Sequence, residues 1–66
     1  MDPGRANELL TYGIGVLRGQ NIIARAPIRL QIALILLDTL KEEGAWWQVK
    51  ILEFWIHRAQ KEEFWP

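Results

Sequence analysis

Hydrophobic positions recur at helical spacing in three segments of this 66-residue chain. In the first segment, winding at ~100° per residue gathers Ala6, Leu9, Leu10, Gly13, Ile14, Val16 and Leu17 on one side and Asn7, Glu8, Thr11, Gly15 and Arg18 on the other. Asp2 followed by Pro3 is typical of a helix start, and Gly19 is typical of a helix end. The pattern predicts helix 1 over about residues 3–19, with Gly13 as a notch where a neighbouring helix can approach closely.

The second segment is bounded by Pro27, which fits the first turn of a helix, and by Gly44, which fits its end. These signals predict helix 2 over about residues 27–43. Because a residue before proline is disfavoured in helical geometry, we interpret residues 21–26 as a connector that excludes Ala26 from the helix, with Ile22 and Ile23 turned inward.

Helix 2 has only a narrow polar strip, formed by Gln31, Asp38 and Glu42. The remaining surface is almost entirely apolar: Ile28, Leu30, Ile32, Ala33, Leu34, Ile35, Leu36, Leu37 and Leu40. A helix that is apolar nearly all round is buried on nearly all sides, and two neighbouring helices in so short a chain cannot cover it. The pattern therefore predicts that a further chain packs against helix 2.

The third segment predicts helix 3 over about residues 45–64. Its polar strip holds Lys50, Glu53, His57, Gln60 and Lys61, and its apolar arc holds Trp47, Val49, Ile51, Leu52, Phe54, Trp55, Ile56 and Ala59. Trp46 falls on the polar strip, so we expect Trp47 and Trp55 to lie on a buried, intersubunit face and Trp46 to project away. The short turn KEEGAW predicts an antiparallel hairpin of helices 2 and 3, with helix 1 packed across it.

Length and composition favour association over an isolated chain. A domain of about 60 residues buries only ~60% of the surface of its unfolded chain, and this one is 50% hydrophobic with no cysteine to form disulfides. We expect residues 1–66 to form one all-α domain of three helices that packs as a helical oligomer, a two-fold dimer before any other assembly. The predicted oligomer interface comprises Leu30, Ala33, Leu34, Leu37, Leu40, Trp47, Ile51, Phe54 and Trp55.

The charges balance to zero overall but differ between the two halves of the chain. Residues 1–37 carry four arginines against two carboxylates, a net +2, and residues 38–66 carry four cations against six carboxylates, a net −2. Two halves of opposite charge suit a chain that folds back on itself or meets a second copy antiparallel. The zero net charge provides no global field that would attract nucleic acid or an acidic membrane.

Few residues could support catalysis or hold a cofactor. The chain has no serine or cysteine, Thr11 and Thr39 have no nearby base in sequence, and no Gly-rich phosphate loop is present. Glu53 and His57 at i and i+4 could supply metal ligands from two chains, but a surface charge ladder of Lys50, Glu53, His57 and Lys61 is the simpler interpretation. We expect no enzymatic activity, no cofactor and no metal.

A nucleic-acid interface is the first alternative. Arg18, Arg25 and Arg29 are of the residue type that contacts phosphates, which would suit a dimeric DNA-binding regulator. A recognition helix needs a basic or polar exposed face, however, and helix 3 exposes glutamates. We expect Arg25 and Arg29 to pair with Glu62 and Glu63 instead, so nucleic acid is disfavoured.

A membrane-active amphipathic peptide is the second alternative, because tryptophan favours lipid interfaces. It is disfavoured because Glu53, Glu62 and Glu63 offset the cations of helix 3. The longest apolar run, IALILL, is far shorter than the ~20 residues that span a bilayer, and MDPGRANELL does not resemble a signal peptide. We therefore expect a cytoplasmic protein.

Protein contact is the leading functional prediction. Trp46, Phe64 and Trp65 lie off the main apolar arc or past the helix, which makes them candidate partner-binding residues, and tryptophan is common at binding hot spots. The sequence predicts a non-catalytic, self-associating helical protein: a scaffold, adaptor or inhibitor that binds itself and, as a further candidate, another protein.

Overall fold

Three α-helices form the fold. The computed structural model describes residues 2–61 and places α1 at Pro3–Leu17, α2 at Ala26–Glu42 and α3 at Trp46–Gln60, with no strand in this part of the chain. Each helix packs against both of the others. The prediction of an all-α, three-helix chain is confirmed, whereas the hairpin geometry and the oligomer stay predictions.

The start of α1 follows from its first residues. The Asp2 side chain is the N-cap, and its Oδ1 accepts a hydrogen bond from the Arg5 backbone N–H at 2.9 Å. Pro3 occupies the first turn, where its missing N–H is not needed. The predicted start of helix 1 is confirmed.

Both α1 and α2 end at a glycine with positive φ. After α1, Gly19 (φ +80°) donates its N–H to Val16 O at 3.0 Å, and the next N–H, of Gln20, reaches Gly15 O at 2.8 Å. After α2, Gly44 (φ +72°) and Ala45 repeat the same two bonds, to Lys41 O and Leu40 O at 3.1 and 3.0 Å. This pair of bonds is the Schellman arrangement, which satisfies carbonyls that the helix leaves open.

The hydrophobic core draws on all three helices. Its buried members are Ala6, Leu10, Leu17, Ala33, Leu37, Leu40, Val49, Leu52, Ile56 and Ala59. A Cβ added to Gly13 would lie 3.1 Å from Leu52 Cδ1 and 3.4 Å from Leu36 Cδ1, so side chains of α2 and α3 both approach the α1 backbone there. The notch predicted at Gly13 is confirmed.

Three local predictions around the α1–α2 connector are wrong. Gly15 is buried, because the chain turns back after α1 and places the Asn21 side chain over it. Ile23 is fully exposed rather than turned inward, while Ile22 is half-buried. Ala26 is helical because the Arg25 carbonyl already accepts the first bonds of α2, from Ile28 and Arg29 N–H at 3.0 Å each.

Candidate interaction surfaces

The side of α3 turned away from the core carries aromatic and cationic side chains. We call this surface the α3 outer face and define it by six exposed residues of α3 and its C-cap: Trp46, Trp47, Lys50, Phe54, His57 and Lys61. Glu53 and Gln60 are exposed beside them. Trp46 is 63% exposed, Trp47 57% and Phe54 55%. The face therefore presents three large rings to solvent.

Trp47, which the helical pattern places on the buried arc, is exposed within the single chain, and its burial against a second copy stays a prediction. The core-facing stripe of α3 is narrower than the apolar arc in the sequence and contains only Gln48, Val49, Leu52, Ile56 and Ala59 as buried residues. Trp47 precedes Phe54 by seven residues, or about two turns, so the two rings share the outer side. Trp46 and Trp47 are thus similarly exposed.

Trp55 has a different role, at the boundary between α1 and α3. Its half-buried ring is close to two guanidinium groups, with Cζ of Arg18 5.9 Å and Cζ of Arg58 5.6 Å from the ring centroid. Phe54 meets it edge-on, with centroids 6.2 Å apart. Because Arg18 is the C-cap of α1, its cation–π contact with Trp55 connects the end of α1 to α3.

Glu53 is oriented toward α2. Its Oε2 lies 3.7 Å from Lys41 Nζ, and both side chains are close to half exposed. Glu53 is the only acidic residue among residues 46–61, and although it follows Lys50 by one helical turn, its ion pair is with Lys41, so within this range Lys50 and Lys61 have no ion-pair partner on their own helix. Glu62 and Glu63, which were expected to offset these cations, lie outside the described residues.

The outward side of α2 combines aliphatic and acidic side chains. We call it the α2 outer face and define it by Ile28, Gln31, Leu34, Ile35, Asp38 and Glu42, all exposed. Ile28 is 50% exposed, Leu34 39% and Ile35 65%. Within one chain, then, the apolar surface of α2 exceeds what α1 and α3 cover.

The predicted interface divides into core and surface residues. Ala33, Leu37 and Leu40 are at most 6% exposed and belong to the core of the chain itself, so they are not available to a second chain in this fold. Leu30, Ile51 and Trp55 are half-buried against that core. Leu34, Trp47 and Phe54 are exposed, as is the predicted partner-binding residue Trp46, whereas Phe64 and Trp65 lie outside the described residues.

The three arginines proposed for nucleic-acid contact do not share one surface. Arg29 is only 8% exposed, and its Nη1 donates a hydrogen bond to the Ala24 carbonyl at 2.6 Å. Arg18 is exposed and lies over Trp55, and Arg25 is exposed at the start of α2. The ion pairs expected with Glu62 and Glu63 lie outside the described residues.

A hydrogen bond between exposed Asn7 of α1 and buried Gln48 of α3 was not predicted from the sequence. Gln48 is 3% exposed, and its Nε2 donates a hydrogen bond to Asn7 Oδ1 at 3.0 Å. Gln48 precedes buried Leu52 by four residues and therefore lies on the core-facing stripe. That spacing was the available signal for its burial.

The described residues contain no cluster for metal chemistry. Across residues 2–61, no three His, Asp or Glu side chains come together as a group that could hold a metal ion. In the same part of the chain, no helix has the length and apolar character to cross a membrane.

Comparison with known proteins gives no relative from which a function could be transferred. No protein-family model, curated protein sequence or solved structure matches this chain.

Proposed function

We propose that this protein is non-catalytic and self-associating, and that it acts through protein contacts as a scaffold, adaptor or inhibitor. The observation that carries the proposal is the exposure of large apolar side chains on two helices: Ile28, Leu34 and Ile35 on the α2 outer face, and Trp46, Trp47 and Phe54 on the α3 outer face. Apolar surface gathered in this way marks sites where proteins meet other molecules.

The energy available from covering these side chains is substantial. Trp47 and Phe54 are each more than half exposed, and removing that surface from water contributes on the order of 2 kcal/mol per ring. Tryptophan is also among the residues that dominate measured binding energies. Burial of two such rings contributes about 4 kcal/mol, roughly half of the ~8 kcal/mol that a micromolar Kd requires. The exposed aliphatic side chains of the α2 outer face add to this sum.

Sedimentation velocity over a range of micromolar concentrations tests the proposal. We expect the average mass to rise above the 7.7 kDa of one chain as concentration increases. The double variant Trp47→Ala with Phe54→Ala should lower the average mass. Tyr12→Ala provides the matched control, because Tyr12 is an aromatic residue of α1 that is 42% exposed and lies on neither outer face. A folded wild-type monomer at every concentration would overturn the proposal.

The nucleic-acid alternative has weaker support. Arg29 is buried, so at most Arg18 and Arg25 of the three arginines are on the surface to meet phosphates. Two arginines are a small electrostatic footprint for duplex binding. The lipid alternative draws on the same aromatic rings as self-association, and the experiments below distinguish the two.

A further inference from the structure

We propose that the α3 outer face of one copy binds the α2 outer face of a second copy, in a contact between unlike surfaces. The inference rests on the proposed self-association and specifies which surfaces meet. It follows from the charges, the spacing and the directions of the two faces.

The α3 outer face is positively charged around its rings. Lys50 and Lys61 are exposed on it, and Glu53 is joined to Lys41 of α2 at 3.7 Å. A partner for this face must therefore offer apolar side chains together with carboxylates.

The α2 outer face meets that description. Asp38 and Glu42 are exposed beside Ile35, while the two cations of α2 are placed elsewhere: Arg29 is buried and Lys41 is joined to Glu53. This face is consequently apolar and negatively charged.

The charged groups of both faces are available for pairing with another chain. Among the residues that the structure describes, Asp38, Glu42, Lys50 and Lys61 take part in no ion pair. Two α3 outer faces in contact would bring lysines together, and two α2 outer faces would bring carboxylates together. Among the charges that lack an ion-pair partner within the described residues, only the contact between unlike faces joins opposite signs, which favours it over both contacts between like faces.

The spacing of the side chains also matches when the two helices run parallel. Ile28, Ile35 and Glu42 are seven residues apart, as are Trp47, Phe54 and Lys61, so each set has a step of ~10.5 Å along its helix. Aligning Ile28 with Trp47 places Ile35 opposite Phe54 and Glu42 opposite Lys61. An antiparallel alignment of the same apolar side chains leaves Glu42 beyond the start of α3, so the parallel alignment is the one that uses the charges.

The directions of the faces determine how such a contact propagates. Because each helix packs against both of the others, the outer faces of α2 and α3 point in different directions. A copy bound to one face leaves the other face open to a further copy. Contacts between unlike surfaces build rings or open chains, in contrast to the two-fold dimer predicted from the sequence.

Two blocked variants test this arrangement. Trp47→Glu disables the α3 outer face and Ile35→Lys disables the α2 outer face, and both residues are more than half exposed, so the fold should persist and circular dichroism verifies it. We expect each variant alone to sediment as a monomer. A mixture should form a complex of one copy of each and nothing larger, because one intact face of each kind remains.

The other outcomes separate this inference from the proposed function. One such outcome is that Ile35→Lys still self-associates, Trp47→Glu is monomeric and their mixture forms no complex. This result would show that two α3 outer faces bind each other. It would overturn the inference, although the proposed self-association would stand. If the wild-type protein is monomeric throughout, both proposals fail.

The parallel alignment has its own test in charge reversal. Glu42→Lys and Lys61→Glu should each weaken self-association about 2- to 10-fold, since each replaces an ion pair by a like-charge contact. The double variant restores the pair with its signs exchanged and should recover the wild-type affinity. Failure of the double variant to recover would overturn the alignment.

Anionic vesicles test the rival occupant of the α3 outer face. With phosphatidylglycerol vesicles we expect the tryptophan emission to remain unchanged. A blue shift that Trp47→Glu abolishes, from a protein that is monomeric without vesicles, would assign the face to a lipid surface and overturn the inference.

Discussion

Removal of the exposed Asn7 side chain should destabilise the fold more than replacement of its buried partner, Gln48. In Asn7→Ala the Gln48 amide stays 3% exposed and loses the 3.0 Å hydrogen bond to Asn7. Leaving a buried polar group without its bond costs about 1–3 kcal/mol. In Gln48→Leu the buried amide itself is removed, and water can replace it as the partner of exposed Asn7, so we expect a cost below about 1.5 kcal/mol.

Thermal unfolding followed by circular dichroism measures this difference. For a domain of this size, 1 kcal/mol corresponds to a shift in Tm of roughly 4–8 °C, so Asn7→Ala should lower Tm by at least that amount relative to a matched alanine substitution in α1. Thr11→Ala is the matched control, because Thr11 is exposed on the same helix and threonine and asparagine have similar helix propensities. The melts need a concentration low enough that self-association does not contribute to Tm.

The double variant completes the test. In the Gln48→Leu background, Asn7→Ala should cost no more than the Thr11→Ala control, because no buried amide remains to lose its partner. If Asn7→Ala costs the same in both backgrounds, or is neutral in the wild-type protein, the hydrogen bond between the amides does not stabilise the fold and our reasoning is refuted.

Two further predictions concern the helix ends. Gly44→Ala should lower the free energy of unfolding by about 1–2 kcal/mol in urea titrations, because φ at this position is +72°. Gly44→Asn should lower it less, since asparagine tolerates positive φ better than alanine. Equal losses for the two variants would contradict the conformational explanation. Asp2→Ala should lower the free energy of unfolding by about 0.5–2 kcal/mol, because the 2.9 Å hydrogen bond from the Arg5 backbone N–H is lost. Asp2→Ser should retain most of the stability. Equal melting temperatures for the two variants would show that the N-cap hydrogen bond contributes little.

The helix boundaries could be predicted from the sequence because their signals are local. Asp2 with Pro3 starts α1, and glycines at positions 19 and 44 adopt positive φ one residue beyond the C-caps of α1 and α2. Each signal depends on the geometry of a few consecutive residues. Ala26 shows the limit of this reasoning, since the bonds accepted by the Arg25 carbonyl outweigh the preference imposed by the following proline.

The assignment of faces could be predicted only in part. Helical periodicity gives the angle of each side chain but not the width of the stripe that neighbouring helices cover, and Trp47 lies on the apolar arc yet outside that stripe. Contacts between residues far apart in the sequence could not be predicted either. The Lys41–Glu53 ion pair and the Asn7–Gln48 hydrogen bond depend on how α1, α2 and α3 come together, which no local pattern encodes.

Gly13 has a consequence for the surface as well as for the core. Because Leu36 and Leu52 both approach the α1 backbone at this residue, the three helices can pack closely there. Each helix packs against only two others, so only a fraction of its circumference faces inward. Apolar residues beyond that fraction, such as Ile35 and Phe54, must then face outward. The residue without a side chain thus belongs to a three-helix packing that leaves Ile35 and Phe54 available to another molecule.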